Sequence, residues 1–334
     1  MPAETPPAPP RRRVLRILAV ATGLLLLPRR GGQDAQDAAP LTVWRGSVLG
    51  PDATLELAHP DPAEARRLIA DCLAEVARLE AEFSLYRPDS ALARLNRAGV
   101  LDRPSPDLLR LLAAAERFRG LTGGAFDITV QPLWELYAAH FSRPGADPAG
   151  PAPAALAAAL ARVGGARVHL SADRIVLAPG TALTLNGIAQ GYVTDRIADL
   201  LRARGVRALV DLGEIRALGL RPDGTAWPVG LENPQRPGTV AEHLALADRA
   251  VATSGGYGTI FDPAGRFNHI FEPASGRCSW RHAAVSVVAA EACTADALAT
   301  AGCLLEESAL AALARTCGVR VALARRDGTR AALG

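Results

Sequence analysis

The stretch TADALATAG at residues 294–302 combines two side chains that could bind a metal ion. Its alanine content predicts a helix, and on a helix Asp296 and Thr300 lie one turn apart on the same face. A carboxylate and a hydroxyl in that arrangement offer oxygen ligands to Mg²⁺, whose octahedral shell is usually completed by waters and substrate phosphates. The alternative is an exposed pair in which Asp296 only favours the positive end of its helix. The spacing alone leaves both interpretations open.

Other polar residues in apolar surroundings also have two interpretations when each is considered alone. Asp127, in the stretch TGGAFDITV, could bind a ligand or cap a turn. His269, in NHIFEP, could accept a proton in catalysis, because the usual histidine pKa is near 6.5, or could be a hydrogen-bonded core residue. For any one of the six histidines considered alone, the structural interpretation is favoured.

The composition excludes several classes of function. The 334 residues carry a formal net charge of +3 and only 4% of them are aromatic, so neither a basic stripe nor a stacking platform for nucleic acid is present in the sequence. All 37 basic residues are arginine, which excludes Schiff-base catalysis by lysine and a P-loop lysine. The five cysteines contain no C-x-x-C pair, which excludes a thiolate metal cluster and leaves one disulfide open.

The N-terminal segment has the features of an export signal. Residues 11–28 combine a basic start with a short apolar run, and the order Arg-Arg-x-Val-Leu-Arg resembles a twin-arginine signal. The alternative is an uncleaved N-terminal anchor in the inner membrane, and the best candidate for cleavage is the AQDAAP region around Ala38. We therefore expect residues 1–39 to be signal and linker, residues 40–334 to form one domain, and the protein to be periplasmic.

Hydrophobic periodicity predicts an α+β fold. Apolar residues recur at helical spacing from Asp61 to Phe83, Ser105 and Pro106 are typical of a helix start, and a proline- and alanine-rich segment predicts a helix ending at Gly164. The predicted strands lie in LTVWRGSVLGPDATLELAH, ARVHLSADRIVLAPG, VRALVDLG, HAAVSVVAA and GVRVALARR. Because helices and antiparallel strands alternate without repeating βαβ units, the class is α+β.

Seven motifs occur in an order that resembles the FAD:protein FMN transferases, the ApbE-type flavin transferases. They are PDSALARLN, GGAFDITV, GIAQGYVTD, LGEIRALG, ATSGGY, HIFEP and TADALAT. The resemblance runs from about Glu64 to Leu305, most of the chain after the signal. It implies an α+β fold related to the T-fold, with antiparallel sheets and flanking helices around one flavin cleft.

The resemblance also implies a reaction and a metal site. Members of the family transfer FMN from FAD to a Thr or Ser hydroxyl of a partner flavoprotein, release AMP and depend on Mg²⁺. At the matching positions the metal ligands are Asp296, Thr300 and the backbone carbonyl of Gly187. A cation that bridges phosphate oxygens neutralises their charge in the transition state. His269 is the residue that we expect to act as the general base.

The same resemblance assigns residues to FAD. Tyr86 is expected against the isoalloxazine ring, with a half-buried core aromatic as the alternative. The remaining expected contacts are Ala125, Phe126 and Asp127 for the adenosine, Gln190 for the flavin, Thr184 in the same flavin-facing turn, and the backbone of Ile270 for the phosphates.

Within the family, the sequence LNGIAQGYVTDRIADLL followed by VDLGEIRALG looks like the NosX branch, exported accessory proteins of nitrous oxide respiration. Thr184 stands where an aspartate is common in the family, and Gln190 where a lysine or glutamate is often found. The flavin-facing turn therefore lacks two charges. The branch implies that the acceptor is the membrane-bound regulator-reductase of the nitrous oxide system.

Two other functions would use the same residues. A Mg²⁺-dependent hydrolase would convert FAD to FMN and AMP with water as the acceptor, and its ligand set would be identical. A protein that binds and delivers intact FAD is consistent with the missing charges at Thr184 and Gln190, but it would need no general base at His269. Turnover of FAD without a partner protein distinguishes the hydrolase from the transferase.

Overall fold

The computed structural model describes residues 39–48 and 52–334 of the chain. The predicted export signal at residues 11–28 and the predicted cleavage position at Ala38 lie outside these residues. Within the described part, no helix combines the length and the apolar character that crossing a membrane requires.

Eight α-helices and thirteen β-strands make up this described part. The helices are α1 (Pro62–Phe83), α2 (Ala91–Ala98), α3 (Pro106–Leu121), α4 (Gln131–Phe141), α5 (Pro153–Leu160), α6 (Ala189–Ala203), α7 (Ala292–Gly302) and α8 (Glu307–Cys317). The strands are β1 (Leu41–Ser47), β2 (Asp52–Ala58), β3 (Val100–Asp102), β4 (Val168–Leu170), β5 (Arg174–Leu177), β6 (Arg207–Asp211), β7 (Ile215–Leu218), β8 (Trp227–Glu232), β9 (Val240–Leu246), β10 (Ala250–Ser254), β11 (Ala284–Ala289), β12 (Arg320–Ala324) and β13 (Arg330–Leu333).

An eight-stranded sheet forms the centre of the fold. Its order is β1-β2-β6-β7-β10-β11-β12-β13, and every neighbouring pair is antiparallel. Two smaller antiparallel sheets accompany it, with the orders β3-β5-β4 and β8-β9. The predicted hairpins form β1-β2 and β4-β5. The predicted α+β class, with antiparallel sheets and helices, is confirmed.

The first helix forms where local signals and an apolar stripe agree. Asp61 caps the first turn by accepting a hydrogen bond from the Ala63 N–H at 2.7 Å, and Pro62 occupies the first helical position. The apolar side chains that recur at helical spacing, among them Leu68 and Leu79, are buried. Helix α1 therefore packs one face into the core and leaves its charged face in solvent.

Helix α7 is enclosed by other elements on two sides. It packs against α6 on one side and against β10 and β11 on the other. Small residues permit this close packing, and a Cβ atom on Gly191 of α6 would come within 2.4 Å of the Ala292 carbonyl oxygen. Because α6 itself packs on α1, β6 and β7, the position of α7 is determined by the sheet and by α6 together.

The structure corrects several predicted boundaries. Helix α5 ends at Leu160 rather than at Gly164, because 3₁₀-type hydrogen bonds tighten the chain before Gly164 takes a positive φ of 133°. Strands β7, β8 and β10 had no clear alternating pattern, because most of their residues are buried on both faces. The disulfide that the sequence left open is absent, since all five cysteines lie in the described residues and are free.

A buried carboxylate joins three helices. Asp107 of α3 accepts hydrogen bonds from Tyr192 of α6 at 2.7 Å, from Arg78 of α1 at 2.6 Å and from Arg110 at 2.8 Å. Burial by itself raises the pKa of Asp107, but these hydrogen bonds outweigh it and lower the pKa to about 2. The network therefore stabilises the folded state only while the Asp107 carboxylate is ionised.

Replacing Asp107 by asparagine is expected to lower the free energy of unfolding by about 2 kcal/mol at neutral pH, because the pKa falls from 3.8 to about 2 on folding. Since the pKa in the folded protein is the lower one, this stabilisation is present in full above pH 3.8 and is lost as the pH falls toward 2. Urea unfolding at several pH values measures it. Asp199→Asn, at an exposed ion pair with Arg202, is the control. An equal loss at every pH would contradict the assignment.

Candidate active site

Asp296 and Thr300 lie one turn apart on α7, but Asp296 is not exposed. Only 3% of Asp296 is accessible to solvent, and Thr300 is half-buried. The backbone N–H of Gly191, on α6, donates a hydrogen bond to Asp296 Oδ2 at 3.1 Å. The interpretation of Asp296 as part of a solvated helix face is therefore wrong, because its carboxylate lies in the packed interface with α6.

Of the three predicted metal ligands, Gly187 lies directly against Thr300, and Asp296 precedes Thr300 by one turn of α7. A Cβ atom on Gly187 would come within 2.9 Å of Thr300 Oγ1, which places the backbone of Gly187 directly against that hydroxyl. Ser254, at the end of β10, adds a further oxygen, and its Oγ lies 3.2 Å from Thr300 Oγ1. Ser254 had no predicted role, although its place in the ATSGGY motif was a signal for it. Oxygen atoms from three segments thus gather beside α7.

This donor set fits a hard divalent cation. Mg²⁺ prefers oxygen ligands and usually takes only one or two carboxylates from the protein. Burial raises the pKa of Asp296, the Gly191 N–H lowers it, and the charge of Asp195 raises it again. A divalent cation would supply the positive charge that such a desolvated carboxylate needs. Residues 39–48 and 52–334 contain no group of three or more His, Cys, Asp or Glu side chains arranged to hold a metal ion.

Glu214 is a second buried carboxyl group in this region, and it had no predicted role. Burial raises its pKa, the charges of Asp296 and Asp211 raise it further, and the Thr253 N–H lowers it. Its Oε2 atom is buried and has no hydrogen-bond partner in the part of the chain that the structure describes. Its position in the LGEIRALG motif was the only signal in the sequence.

The imidazole of His269 is oriented by the backbone of Thr259. The Thr259 N–H lies 3.2 Å from Nδ1, and the Thr259 carbonyl oxygen lies 3.3 Å from the same atom. On the other side of the ring, a Cβ atom on Gly258 would come within 3.0 Å of Cε1. In the tautomer with hydrogen on Nδ1, that nitrogen donates to the Thr259 carbonyl and Nε2 carries the lone pair that a general base needs; in the other tautomer Nδ1 accepts from the Thr259 N–H and Nε2 carries the hydrogen.

The loop that carries His269 is fastened to the end of α7. Ser279 Oγ donates to the carbonyl of Cys303, which follows α7, at 2.8 Å, and Ser279 N donates to the Ile270 carbonyl at 2.8 Å. The fully buried Asn268 donates to the Ser279 carbonyl at 2.8 Å and accepts from the Ile270 N–H at 2.8 Å. The backbone of Ile270, which was expected beside the phosphates, therefore has partners within its own loop.

A cavity of about 870 Å³ opens between α2, α4 and residues 177–186, and this volume is in the usual range for a ligand pocket. Its polar and aromatic lining includes Tyr86, Asn96, Gln131, Trp134, Thr181 and Asn186. Tyr86 is 55% exposed, so the alternative of a half-buried core aromatic is wrong. Tyr86 alone among the predicted flavin residues lines this cavity. Asn186 precedes Gly187, so the cavity extends to the segment that carries a predicted metal ligand.

The segment before Gly187 is held by two distant residues. The Asn96 side chain donates to the Leu183 carbonyl at 2.8 Å and accepts from the Leu183 N–H at 2.8 Å. The next residue, Thr184, donates its N–H to the Ile128 carbonyl at 2.8 Å. Thr184 therefore lies beside the GGAFDITV segment. Asn96 had no predicted role, although it ends the PDSALARLN motif.

The predicted adenosine residues have clear structural roles. Phe126 is buried and packs edge-to-face on Phe118, with ring centroids 6.3 Å apart. Asp127 Oδ1 accepts hydrogen bonds from the Thr129 N–H at 2.8 Å and the Thr129 hydroxyl at 2.6 Å, which caps a short 3₁₀ turn. Ala125 and Gln190 are both half-buried. The structure thus shows turn capping at Asp127, the second of its two sequence-based interpretations.

Comparison with known proteins identifies relatives over most of the chain. The model of the ApbE family matches residues 48–323. The chain is 32% identical over 268 residues to the FAD:protein FMN transferase of Vibrio cholerae, covering 76% of this chain and 78% of that protein. It is 36% identical over 268 residues to the FAD:protein FMN transferase of Treponema pallidum, covering 72% and 71%. The solved structure of the flavin transferase ApbE from Vibrio cholerae has a TM-score of 0.76 at 28% identity, over 88% of this chain and 98% of that one.

Two helical glycines are expected to respond to alanine with opposite signs. Gly191→Ala places a Cβ atom 2.4 Å from the Ala292 carbonyl oxygen and should cost about 1–3 kcal/mol of unfolding free energy, because α6 must move away from α7. Gly120→Ala, in α3, meets nothing within 4 Å and should stabilise by about 0.5–1 kcal/mol through helix propensity. Urea unfolding of both variants measures the difference. A stabilising Gly191→Ala would contradict the close approach of the two helices.

Proposed function

The chain belongs to the ApbE family, and from this premise we propose that it is an FAD:protein FMN transferase. In this reaction the hydroxyl oxygen of a Thr or Ser in a partner flavoprotein forms a bond to the FMN phosphorus of FAD. The pyrophosphate bond to AMP breaks, and AMP leaves with the bonding electron pair. The observation that carries the proposal is the gathering of Gly187, Asp296 and Thr300 at α7, within a chain that matches the family over residues 48–323.

We further propose that the reaction depends on Mg²⁺. Asp296, Thr300 and the Gly187 carbonyl would hold the ion, since they provide the hard oxygen donors that it prefers. Bound there, Mg²⁺ supplies neutralisation of the negative charge on the FAD phosphates. The enclosure of Asp296 by α6 and the sheet keeps bulk water away from the carboxylate, which strengthens its attraction for a cation.

His269 is the proposed general base. The Thr259 carbonyl holds the imidazole in the orientation in which Nε2 accepts the proton of the acceptor hydroxyl. The links through Ser279 to Cys303 keep this loop at a constant position relative to α7. The proton leaves the hydroxyl as the oxygen approaches phosphorus, so the acceptor need not ionise beforehand.

Tyr86 and the cavity of about 870 Å³ are proposed to hold the flavin end of FAD. An exposed tyrosine ring at the cavity wall offers a flat apolar face on which the isoalloxazine can stack. Thr184 and Gln190, which do not line this cavity, are proposed to contact the flavin through neutral hydrogen-bonding groups, because a neutral amide can donate and accept at a flavin edge. The adenosine is proposed to contact residues 125–127 through Ala125 and the backbone, since Phe126 is committed to the core.

The biological setting is proposed from sequence motifs alone. The similarity of LNGIAQGYVTDRIADLL and VDLGEIRALG to the NosX branch supports a role in the maturation of nitrous oxide respiration, with the membrane-bound regulator-reductase as acceptor. The twin-arginine-like signal at residues 11–28 supports export to the periplasm, where such an acceptor domain would be met. Residues 40–334 would then form the domain that carries out the transfer.

The proposal is tested by mass spectrometry of a candidate acceptor domain after incubation with the protein, FAD and Mg²⁺. Covalent FMN on a Thr or Ser of the acceptor is the expected result. A parallel incubation without acceptor distinguishes the FAD hydrolase, which would release FMN and AMP with water as the acceptor. Intact FAD in both incubations would indicate a flavin carrier and would overturn the proposal.

Asp296→Asn is expected to slow transfer by two to three orders of magnitude, on the basis of the several kcal/mol that metal-ion charge stabilisation typically provides. Asparagine retains an oxygen that can accept from the Gly191 N–H, so the fold should persist. The rate is measured as FMN incorporated per minute at a series of Mg²⁺ concentrations, with Asp199→Asn on α6 as the matched control. Unchanged transfer at low Mg²⁺ would show that Asp296 is not a ligand.

His269→Ala is expected to slow transfer about 10²–10⁴-fold, the usual contribution of a general base. Binding of FAD should remain close to that of the parent, because Thr259 and Ser279 retain their backbone positions. The control is His282→Ala, which removes a buried histidine whose Nε2 lies 2.9 Å from the Leu305 carbonyl. That change should lower stability and leave the rate per folded molecule unaltered. The base assignment fails if both variants transfer FMN equally well.

A further inference from the structure

Helix α7 receives the cap of its first turn from another helix. The residue before it, Glu291, makes no side-chain capping hydrogen bond. Instead, the N–H groups of Ala292 and Cys293 donate to the two carboxylate oxygens of Asp195, at 2.8 Å and 2.9 Å. Asp195 lies on α6, almost one hundred residues earlier in the chain. It therefore satisfies backbone groups that a helix start otherwise leaves unpaired.

The same carboxylate is also held from the central sheet. Arg216, on β7, donates a hydrogen bond from its guanidinium to Asp195 Oδ1, and both side chains are almost completely buried. Asp195 thus contacts β7 and α7 at once while it belongs to α6. A single carboxylate connects three elements that are far apart in sequence.

Asp195 and Gly191 act on α7 at two points that are one helical turn apart. Gly191 precedes Asp195 by four residues on α6 and donates its N–H to Asp296 Oδ2. Asp296 follows Ala292, the first residue of α7, also by four residues. The spacing is therefore the same on both helices, and the cap lies one turn from the carboxylate that faces the candidate metal site.

Stability alone does not explain this arrangement. A helix start can be capped locally by Ser, Thr, Asp or Asn, whereas this chain has Glu291 at that position. A buried ion pair is also weak as a source of stability, because desolvation of both charges offsets their attraction. A cap from α6 fixes the position of α7 relative to α6 and β7. A local cap does not.

We infer that Asp195, held by Arg216, is a positioning residue that sets the location of α7 and thereby the location of the Asp296 and Thr300 oxygens. The inference rests on the proposed Mg²⁺-dependent function of those two residues. A displacement of about 1 Å in a group that positions reacting atoms can cost about 10²-fold in rate. Loss of Asp195 is therefore expected to weaken metal binding, and the weaker metal binding is expected to slow FMN transfer.

The test separates positioning from stability by removing both charges together. Asp195→Asn alone leaves the Arg216 guanidinium buried without a counter-charge. Arg216→Met alone leaves the Asp195 carboxylate buried without one. Both single variants should therefore unfold more easily than the parent. The double variant Asp195→Asn/Arg216→Met leaves no unpaired charge, but its asparagine oxygen can accept from only one of the two α7 N–H groups, so it should unfold at a higher temperature than either single variant and below the parent. The control is Glu307→Gln/Arg325→Met, which neutralises an ion pair of 2.6 Å and 2.8 Å contacts between α8 and the end of β12.

Mn²⁺ serves as the probe, and its binding in the presence of AMP is measured by electron paramagnetic resonance. The Asp195/Arg216 double variant is expected to bind Mn²⁺ about 10–100-fold more weakly than the parent, the usual loss when groups that orient a ligand are removed. The Mg²⁺ concentration that gives half-maximal transfer should rise by the same factor, and high Mg²⁺ should restore the rate. The control pair should change neither quantity.

Equal Mn²⁺ affinity in a folded double variant and in the parent would overturn the inference. If the double variant does not fold, Mn²⁺ binding by Asp195→Glu tests the inference instead. This variant keeps the carboxylate and the Arg216 charge, but it inserts one methylene between α6 and α7. Weaker Mn²⁺ binding by this variant supports the inference, and parental binding overturns it. A parent that neither binds Mn²⁺ nor transfers FMN would contradict the proposed function itself, which is a different result.

Discussion

The buried carboxylate of Asp296 is the constraint on which the rest of the structure depends. An ionised carboxylate removed from water is unfavourable unless hydrogen bonds or positive charge compensate it. Helix α7 places this group between α6 and two strands of the central sheet, where only 3% of it reaches solvent. The Gly191 N–H compensates it in part by donating a hydrogen bond to Oδ2. A bound cation would be suited to balance the rest of the negative charge on this carboxylate.

Helix α6 transmits this constraint to the rest of the fold. Its Tyr192 hydroxyl joins the Asp107 network of α1 and α3, while Gly191 and Asp195 contact α7. Because Gly191, Tyr192 and Asp195 are neighbours in the motif GIAQGYVTD, one short segment connects the helical layer, the sheet and the candidate active site. A motif that suggests flavin and metal contacts in the sequence also has a packing function in the structure.

Much of the fold could be predicted from the sequence, and the motifs named several candidate site residues. The α1 stripe, the caps at Asp61 and Ser105 and the two hairpins all depend on residues close together in the chain. Strands β7, β8 and β10 could not be recognised, because a strand buried on both faces has no alternating pattern. Ser254, Glu214 and Asn96 were missed as functional neighbours for a related reason, since their partners lie far away in sequence.

The sequence by itself determined that Asp296 and Thr300 share one face of a helix, that the fold is α+β, and that the motifs are those of the ApbE family. Helix geometry depends on residues that are close together in the chain, and motif order is a property of the linear sequence, so both can be recognised without the structure. Only the tertiary structure decided that this helix face is buried against α6 and that Asp195 caps α7 from another helix. These are contacts between segments about one hundred residues apart, and burial depends on which elements pack together, which no local spacing specifies.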